Sequence, residues 1–195
     1  MKLALFDFDG TITTTDSLIP FMYYTHGPWR TILGFLILSP ALILYGLKIL
    51  PRTTTKEIFL TYFYRGWDEK NFKETACRYA KEKLPALAKK SALARIDFHK
   101  KEGHKIVVVS ASIEDYLKEW CRNNQLELIC TKIEFKNDKV TGRLLDKNCY
   151  GEEKIRYIKE KYNLKDFDYV YAYGDSKGDL ALKSIANEFH FKSFK

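Results

Sequence analysis

Asp7 and Asp9 lie one residue apart at the end of the apolar run 2–9, and an extended chain turns both side chains to the same face. Two carboxylates held that close cannot both ionise cheaply without a cation, and one tends to keep its proton. Such a pair suits a nucleophile with a general acid/base, a metal site, or a merely solvated strand-to-loop junction. Ser110 closes a second apolar run, 105–110, ahead of a helix start whose free backbone N–H groups can hold an anion or simply need a cap. Asp175 and Asp179 follow a third run, 167–173, in a turn opened by Gly174 that lets backbone approach a ligand; Asp179 alone also reads as a first-turn helix residue. Lys154 sits near Gly151 at the start of a predicted helix, where the macrodipole does not favour a cation; its plain alternative is an exposed surface lysine.

These residues need elements that end together. Three apolar runs that each finish in Ser or Asp imply strands sharing one carboxyl edge, and the β-branched run 105–110 implies burial on both faces. Helical stripes follow the strands. Ser112 reads as an N-cap to Ile113, Tyr116, Leu117, Trp120 and Cys121, while Ile155, Ile158 and Tyr162 make a second stripe and 180–185 a shorter one. Runs 129–135 and 140–145 flank 136–139 as a hairpin, and 187–191 reads as a last strand. The class expected is α/β, a doubly wound parallel sheet.

From about 15 to 98 no strand signal appears. Helices are expected over 55–64 before Gly66, after the cap Asp68 with Phe72, Ala76, Tyr79 and Ala80 on one face, and over 85–101 before Gly103. The chain thus divides into a core of 1–14 with 99–195 and an inserted helical cap, 15–98. Inside the cap, 31–47 carries no charge and is broken by Ser39-Pro40. A buried helical hairpin is the expected reading. The other is a peripheral membrane contact through 31–50, flanked by Arg30, Lys48, Arg52 and Lys56.

Composition narrows the partners. A chain of 195 residues, 46% hydrophobic, can bury a real core, so a disulfide miniprotein or a disordered chain is excluded. The formal charge of +8 favours anionic partners, yet the lysines are dispersed as solvated pairs and four carboxylates at one sheet edge repel nucleic acid. No nucleic-acid partner is expected, and a non-enzymatic basic membrane-binding module is the reading from another class. Four cysteines without zinc spacing suggest a reduced, cytoplasmic protein, with membrane association as the alternative. His26, His99, His104 and His190 show no ligand spacing.

The ordered set Asp7-Phe-Asp9-Gly10-Thr11, Val108-Val-Ser110, Lys154 and Asp175 to Asp179 resembles the four motifs of the haloacid dehalogenase superfamily of aspartate-nucleophile phosphatases, over nearly the whole chain. The insertion is similar to the helical cap of its phosphoserine-phosphatase-like branch. The resemblance implies an Mg²⁺-dependent phosphomonoester hydrolase in which Asp7 forms an aspartyl-phosphate and Asp9 is the general acid and base. It implies Mg²⁺ on Asp7, the Asp9 carbonyl, Asp175 and Asp179, the last directly or through water. Ser110, Lys154, Gly10 and Thr11 would bind phosphate. Asp16 falls where phosphoserine phosphatases carry a substrate-reading Glu, and Ser112 stands in a Ser-Ala-Ser where they usually have Ser-Gly-Gly; both are expected near the leaving group. The apolar stretch is similar to one in phosphatidylglycerophosphate phosphatases of the superfamily. The substrate class stays open between a small phosphorylated metabolite, phosphoserine among them, and a lipid phosphate, and a phosphotransferase shares the same intermediate.

Overall fold

The computed structural model describes residues 1–194. Its centre is a parallel sheet of β1 (Lys2–Phe6), β2 (Lys105–Ile113), β3 (Glu127–Thr131), β6 (Tyr169–Gly174) and β7 (Glu188–Phe191), in the order β3-β2-β1-β6-β7. β1 is central, with Leu3 opposite both Lys105 and Val170. Leu3, Leu5, Val107, Val109 and Ala172 pack on one side against α8 (Glu152–Lys161) and Leu182. Ala4, Phe6, Val108 and Tyr173 pack on the other with residues of α6 (Lys90–Lys101), α7 (Glu114–Asn123) and the insertion. Covering both faces explains why the strands read as continuous apolar runs rather than alternating ones. Strand order runs outward in opposite directions from β1, so the crevice at its carboxyl end is the natural ligand site of an open α/β sheet.

The insertion contains α1 (Leu18–Ile37), α2 (Ser39–Gly46), α3 (Arg52–Tyr64), α4 (Glu69–Glu82) and α5 (Leu84–Leu87). Asp68 does cap α4 by accepting the Asn71 N–H. The helix expected over 85–101 is instead broken at Ala88-Lys89, because these residues run back along the entry strand. The Thr14 N–H donates to Leu87 O at 2.9 Å and the Lys89 N–H to Ile12 O at 2.8 Å. α6 then lies on β2 and on the turn after β1. We propose the division at these straps, with the cap as 15–87, rather than at residue 99.

Two further expectations are corrected. The run 129–135 is two strands, β3 in the main sheet and β4 (Ile133–Lys136) in a separate hairpin with β5 (Lys139–Leu144). Asn137 and Asp138 both take positive φ, the backbone a two-residue hairpin turn demands, and the hairpin packs on α3 rather than on the sheet. The stretch 31–47 is not a buried hairpin. α1 kinks at Gly27-Pro28 and meets α2 at 57°. Thr31 and Gly34 are buried and the Phe35 ring lies tilted against Phe59 at 5.1 Å, so one face rests on α3; a Cβ on Gly34 would come within 2.4 Å of the Phe63 ring. The opposite face is open, with Leu36 65% and Ile43 62% exposed. Among the described residues no single helix is long and apolar enough to cross a membrane; the bent α1–α2 pair reaches that threshold only by length and composition.

Behind the sheet edge, fully buried His99 on α6 shares hydrogen bonds with Tyr173 Oη at 2.9 Å and with His104 Nδ1 at 2.7 Å. Burial, then the neighbouring charge on His104, pulls its pKa down to about 4. The fold therefore holds the neutral ring, and this contribution to stability is complete above the unfolded value of about 6.5 and is lost as pH falls toward 4. Denaturant unfolding at about pH 7 and about pH 5 should show a smaller acid loss in His99→Gln than in the parent. An unchanged difference between the two pH values would remove His99 as the acid-sensitive group.

Candidate active site

β1 ends where its last backbone bond, Asp7 N–H to Tyr173 O at 2.9 Å, fixes Asp7 at the crevice. The chain then winds through Phe8–Ile12, with Gly10 at φ 79°. A side chain is excluded there twice over, by the positive φ and because a Cβ would stand 2.3 Å from Asp175 Oδ2. Gly10 and Asp175 are thereby brought into contact across the sheet edge.

Lys154 is 1% exposed, so its surface reading is wrong. Its Nζ donates to Asp7 Oδ1 and Asp179 Oδ1, each at 2.6 Å, and to Val109 O at 2.8 Å. All three ammonium hydrogens have partners. Asp179 Oδ2 accepts from the Ser176 hydroxyl at 2.6 Å and the Ser176 N–H at 2.9 Å, so both its oxygens are engaged. The Thr11 hydroxyl stands between Asp7 Oδ2 at 3.2 Å and Asp175 Oδ1 at 3.1 Å. The Gly10 N–H points to Thr13 Oγ1 at 3.3 Å, and its carbonyl accepts from Lys89 Nζ at 2.6 Å.

Burial opposes the charge on Lys154, but the facing carboxylates of Asp7 and Asp179 outweigh it and hold the amine above its ordinary range. Asp179 is likewise held below the usual carboxylate range: burial resists ionisation and the Lys154 charge overcomes it. Asp7 is pushed up to about 6, by burial first, with Lys154 pulling down and Asp179 and Asp175 pushing up. One ammonium thus faces three carboxylates, and ligand oxygens of Asp7, Asp175 and Asp179 lie within 4.8 Å of one another. An all-oxygen donor set with this excess of negative charge fits a hard divalent cation such as Mg²⁺.

Asp9 is held differently. Its Oδ1 accepts the Ser17 N–H at 2.8 Å and its Oδ2 the Ser112 hydroxyl. Burial, then the charge of Asp16, pushes Asp9 up to about 7, against the pull of the Ser112 and Ser17 hydrogen bonds. Ser17 Oγ reaches Ser112 Oγ and Tyr116 Oη, both at 3.0 Å, and its carbonyl accepts from Tyr79 Oη at 2.8 Å. The helix-capping role expected of Ser112 is therefore corrected: α7 starts after Ile113, and the Ser112 side chain turns to Asp9. Ser110 is buried and accepts the Ser112 N–H at 3.0 Å. Asp16 caps the first turn of α1, accepting from Leu18 N–H at 2.9 Å and Ile19 N–H at 3.2 Å.

Two cavities meet at Asp9. One, of about 220 Å³, is bordered by Asp7, Ser110, Lys154, Asp175 and Tyr150. The other, of about 230 Å³, runs under α1 and α2 past Leu18, Met22, Phe35, Leu42 and Phe59. Asp9, Asp16, Arg52 and Ala111 border both. Arg52 lies over the Tyr150 ring at 4.4 Å, and Lys56 Nζ donates to Ala111 O. Burial pushes Lys56 down to about 8.

Sequence reasoning brought Asp7, Asp9, Asp16, Ser110, Lys154, Asp175 and Asp179 to one edge, and the structure gathers them there. It missed Ser17, whose only signal was a serine ahead of a helix, and Tyr150, which gave none. Arg52 and Lys56 were read only as flanks of the apolar stretch.

The family model for haloacid dehalogenase-like hydrolases matches residues 4–183, and the chain belongs to that family. The protein CicA of Caulobacter vibrioides is 31% identical over 195 residues, covering 99% of this chain and 86% of CicA. A Bordetella pertussis protein of unknown function superposes with a TM-score of 0.84 at 20% identity, over 97% of this chain and 89% of that one. A phospho-aspartyl intermediate analogue of phosphoserine phosphatase superposes at 0.60 with 17% identity, over 97% and 92%. The fold is that of a capped haloacid dehalogenase-like hydrolase, as the motifs implied.

Lys154 is the element on which the geometry bears most directly. Lys154→Met should leave two buried carboxylates without their counter-ion and cost about 3–5 kcal/mol in urea unfolding. Adding Asp179→Asn should return part of that loss. If the two losses instead simply add, the ion pair is not what stabilises the edge.

Proposed function

We propose that the protein is an Mg²⁺-dependent phosphatase that hydrolyses a phosphomonoester through an aspartyl-phosphate on Asp7. The observation that carries this reading is the unlike treatment of two carboxylates one residue apart. Asp7 is ion-paired to a buried lysine, whereas Asp9 meets only hydroxyl and amide donors. Environments that push paired carboxyls into different roles mark a nucleophile and an acid.

Asp7 attacks phosphorus and the ester P–O bond breaks, while the Asp9 carboxyl gives its proton to the leaving oxygen. Asp9, now ionised, takes a proton from water as that water attacks the aspartyl-phosphate, which frees inorganic phosphate and restores Asp7. Ser17 and Ser112 keep the Asp9 carboxyl aimed through both steps. Lys154 orients the nucleophile and sets positive charge beside the phosphoryl group, and Ser110 faces that group from β2. Asp7, Asp175 and the Asp9 carbonyl would hold Mg²⁺, which when bound offsets phosphoryl charge. Asp179, with both oxygens engaged, would reach the ion through water. Gly10 and Thr11, expected to bind phosphate, act in this reading by placing Asp175 beside Asp7. Phosphoserine could set its ammonium by Asp16 and its carboxylate by Arg52 or Lys56, but would leave the apolar lining at Leu18, Met22, Phe35 and Phe59 unfilled.

Asp7→Asn should abolish phosphate release from p-nitrophenyl phosphate while the protein, though less stable for the loss of the Lys154 ion pair, remains folded, and EDTA should silence the parent until Mg²⁺ is restored. Phosphate release by folded Asp7→Asn at the parent rate would sink the mechanism. Asp9→Asn should cost on the order of 10²–10⁴-fold, more for an alkyl phosphate than for the p-nitrophenyl ester, whose leaving oxygen needs less protonation. Release of free phosphate in the presence of an added alcohol, with no phosphorylated alcohol formed, separates hydrolase from phosphotransferase.

A further inference from the structure

From Ile32 to its end α1 is apolar on every side. Positions 31, 34, 35 and 38 pack inward, yet Trp29, Ile32, Leu33, Leu36 and Ile37 face outward, and α2 continues the open face with Ile43, Leu44 and Leu47. A helix of a water-facing domain is polar on its outer side, so this face is built for an apolar partner. Its border is basic, with exposed Arg30 at one end and Lys48 at the other, and no Asp or Glu occurs between Asp16 and Glu57. Trp29, 82% exposed, and Tyr45 add amphipathic rings of the kind that settle at headgroup level. Cationic rim, aromatic anchors and an aliphatic face match an anionic bilayer surface, and a protein partner would need no such one-signed rim.

The cavity beneath this face gives the surface a purpose. It is mostly apolar, Ile19 and Tyr45 border it while also being exposed, and its inner end is Asp9. We infer that α1 and α2 dock on an anionic membrane and that the cavity takes the apolar part of a lipid phosphate monoester, whose phosphoryl group reaches Asp7. The substrate half of this inference rests on the phosphatase reading above; the docking half does not. Arg52, bordering both cavities and stacked on Tyr150, stands where the headgroup passes from one to the other.

The test uses the full chain with vesicles of equimolar phosphatidylcholine and phosphatidylglycerol, vesicles of phosphatidylcholine alone, and Leu36→Glu and Ile43→Glu, two exposed positions outside both cavities. The parent should float with the anionic vesicles and less in high salt, because screening shortens the reach of the rim charges. Each variant should float about tenfold less or worse. Each should keep parental turnover of p-nitrophenyl phosphate and lose turnover of dioleoyl phosphatidate presented in the same vesicles. Failure of the parent to float, or equal flotation of the variants, overturns the docking surface. A parent dimer in sedimentation that Leu36→Glu dissociates would assign the face to a second copy of the chain and overturn it too. Flotation without hydrolysis of either ester leaves the docking surface standing and overturns the phosphatase reading instead.

Discussion

Lys154 sits where several pieces of chain meet, and its ammonium joins three of them: the end of β1 through Asp7, the middle of β2 through the Val109 carbonyl, and the turn after β6 through Asp179. α8 supplies the lysine itself. Burying an ammonium costs several kcal/mol unless every proton finds an acceptor, and each carboxylate beside it carries the same cost. The three contacts meet that condition together and none meets it alone. Chain ends more than a hundred residues apart in sequence are thereby held to one geometry, and Asp7 keeps its orientation because its partner has no freedom left.

The same edge would be incomplete without the insertion. Asp9 is gripped from the core by Ser112 and from the insertion by the Ser17 N–H, and the hydroxyl of Ser17 is itself fixed by Tyr116. For the acid/base role proposed for Asp9, neutral donors suit it better than a cation, which would keep it ionised. The straps at Thr14 and Lys89 carry the chain out of the core and back at neighbouring points, so the register of the cap over the crevice is set by backbone hydrogen bonds rather than by side-chain packing alone.

Much of this was legible in the sequence where one physical cause acts locally. The strands at β1, β2 and β6 declared themselves by apolar runs that stop at a carboxylate or hydroxyl, and the stripe of α7 by its 3.6-residue period. What stayed hidden depends on contacts distant in sequence. A lysine at a helix start looks exposed until two strands arrive with carboxylates. Ser112 has the type and position of a helix cap, and only the approach of Asp9 gives its hydroxyl a stronger acceptor. The break at Ala88 leaves no Pro or Gly to mark it, because the tertiary strap to Thr13 and Thr14 overrides helix propensity. The apolar stretch misleads for the opposite reason. Its composition implies burial, and the expectation assumes a partner within the chain, whereas α3 covers one face and leaves the other bare.

The buried lysine borders one of two cavities that share Asp9, and the other lies beneath the helices that carry the bare face. Polar groups line the cavity at Asp7, aliphatic and aromatic ones the cavity beneath α2, and the change of character falls at Asp9, where the cavities join. On the lipid-phosphate proposal, an amphiphile spanning both cavities would be sorted by them, its anionic group stabilised near Lys154 and its apolar part under Met22, Phe35 and Leu42. On that proposal the bond between the two parts would lie beside Asp9, the carboxyl proposed to protonate the departing oxygen. A small polar ester would gain from the first cavity alone, so on this proposal selectivity for the leaving group would come from the length over which both environments must be satisfied at once.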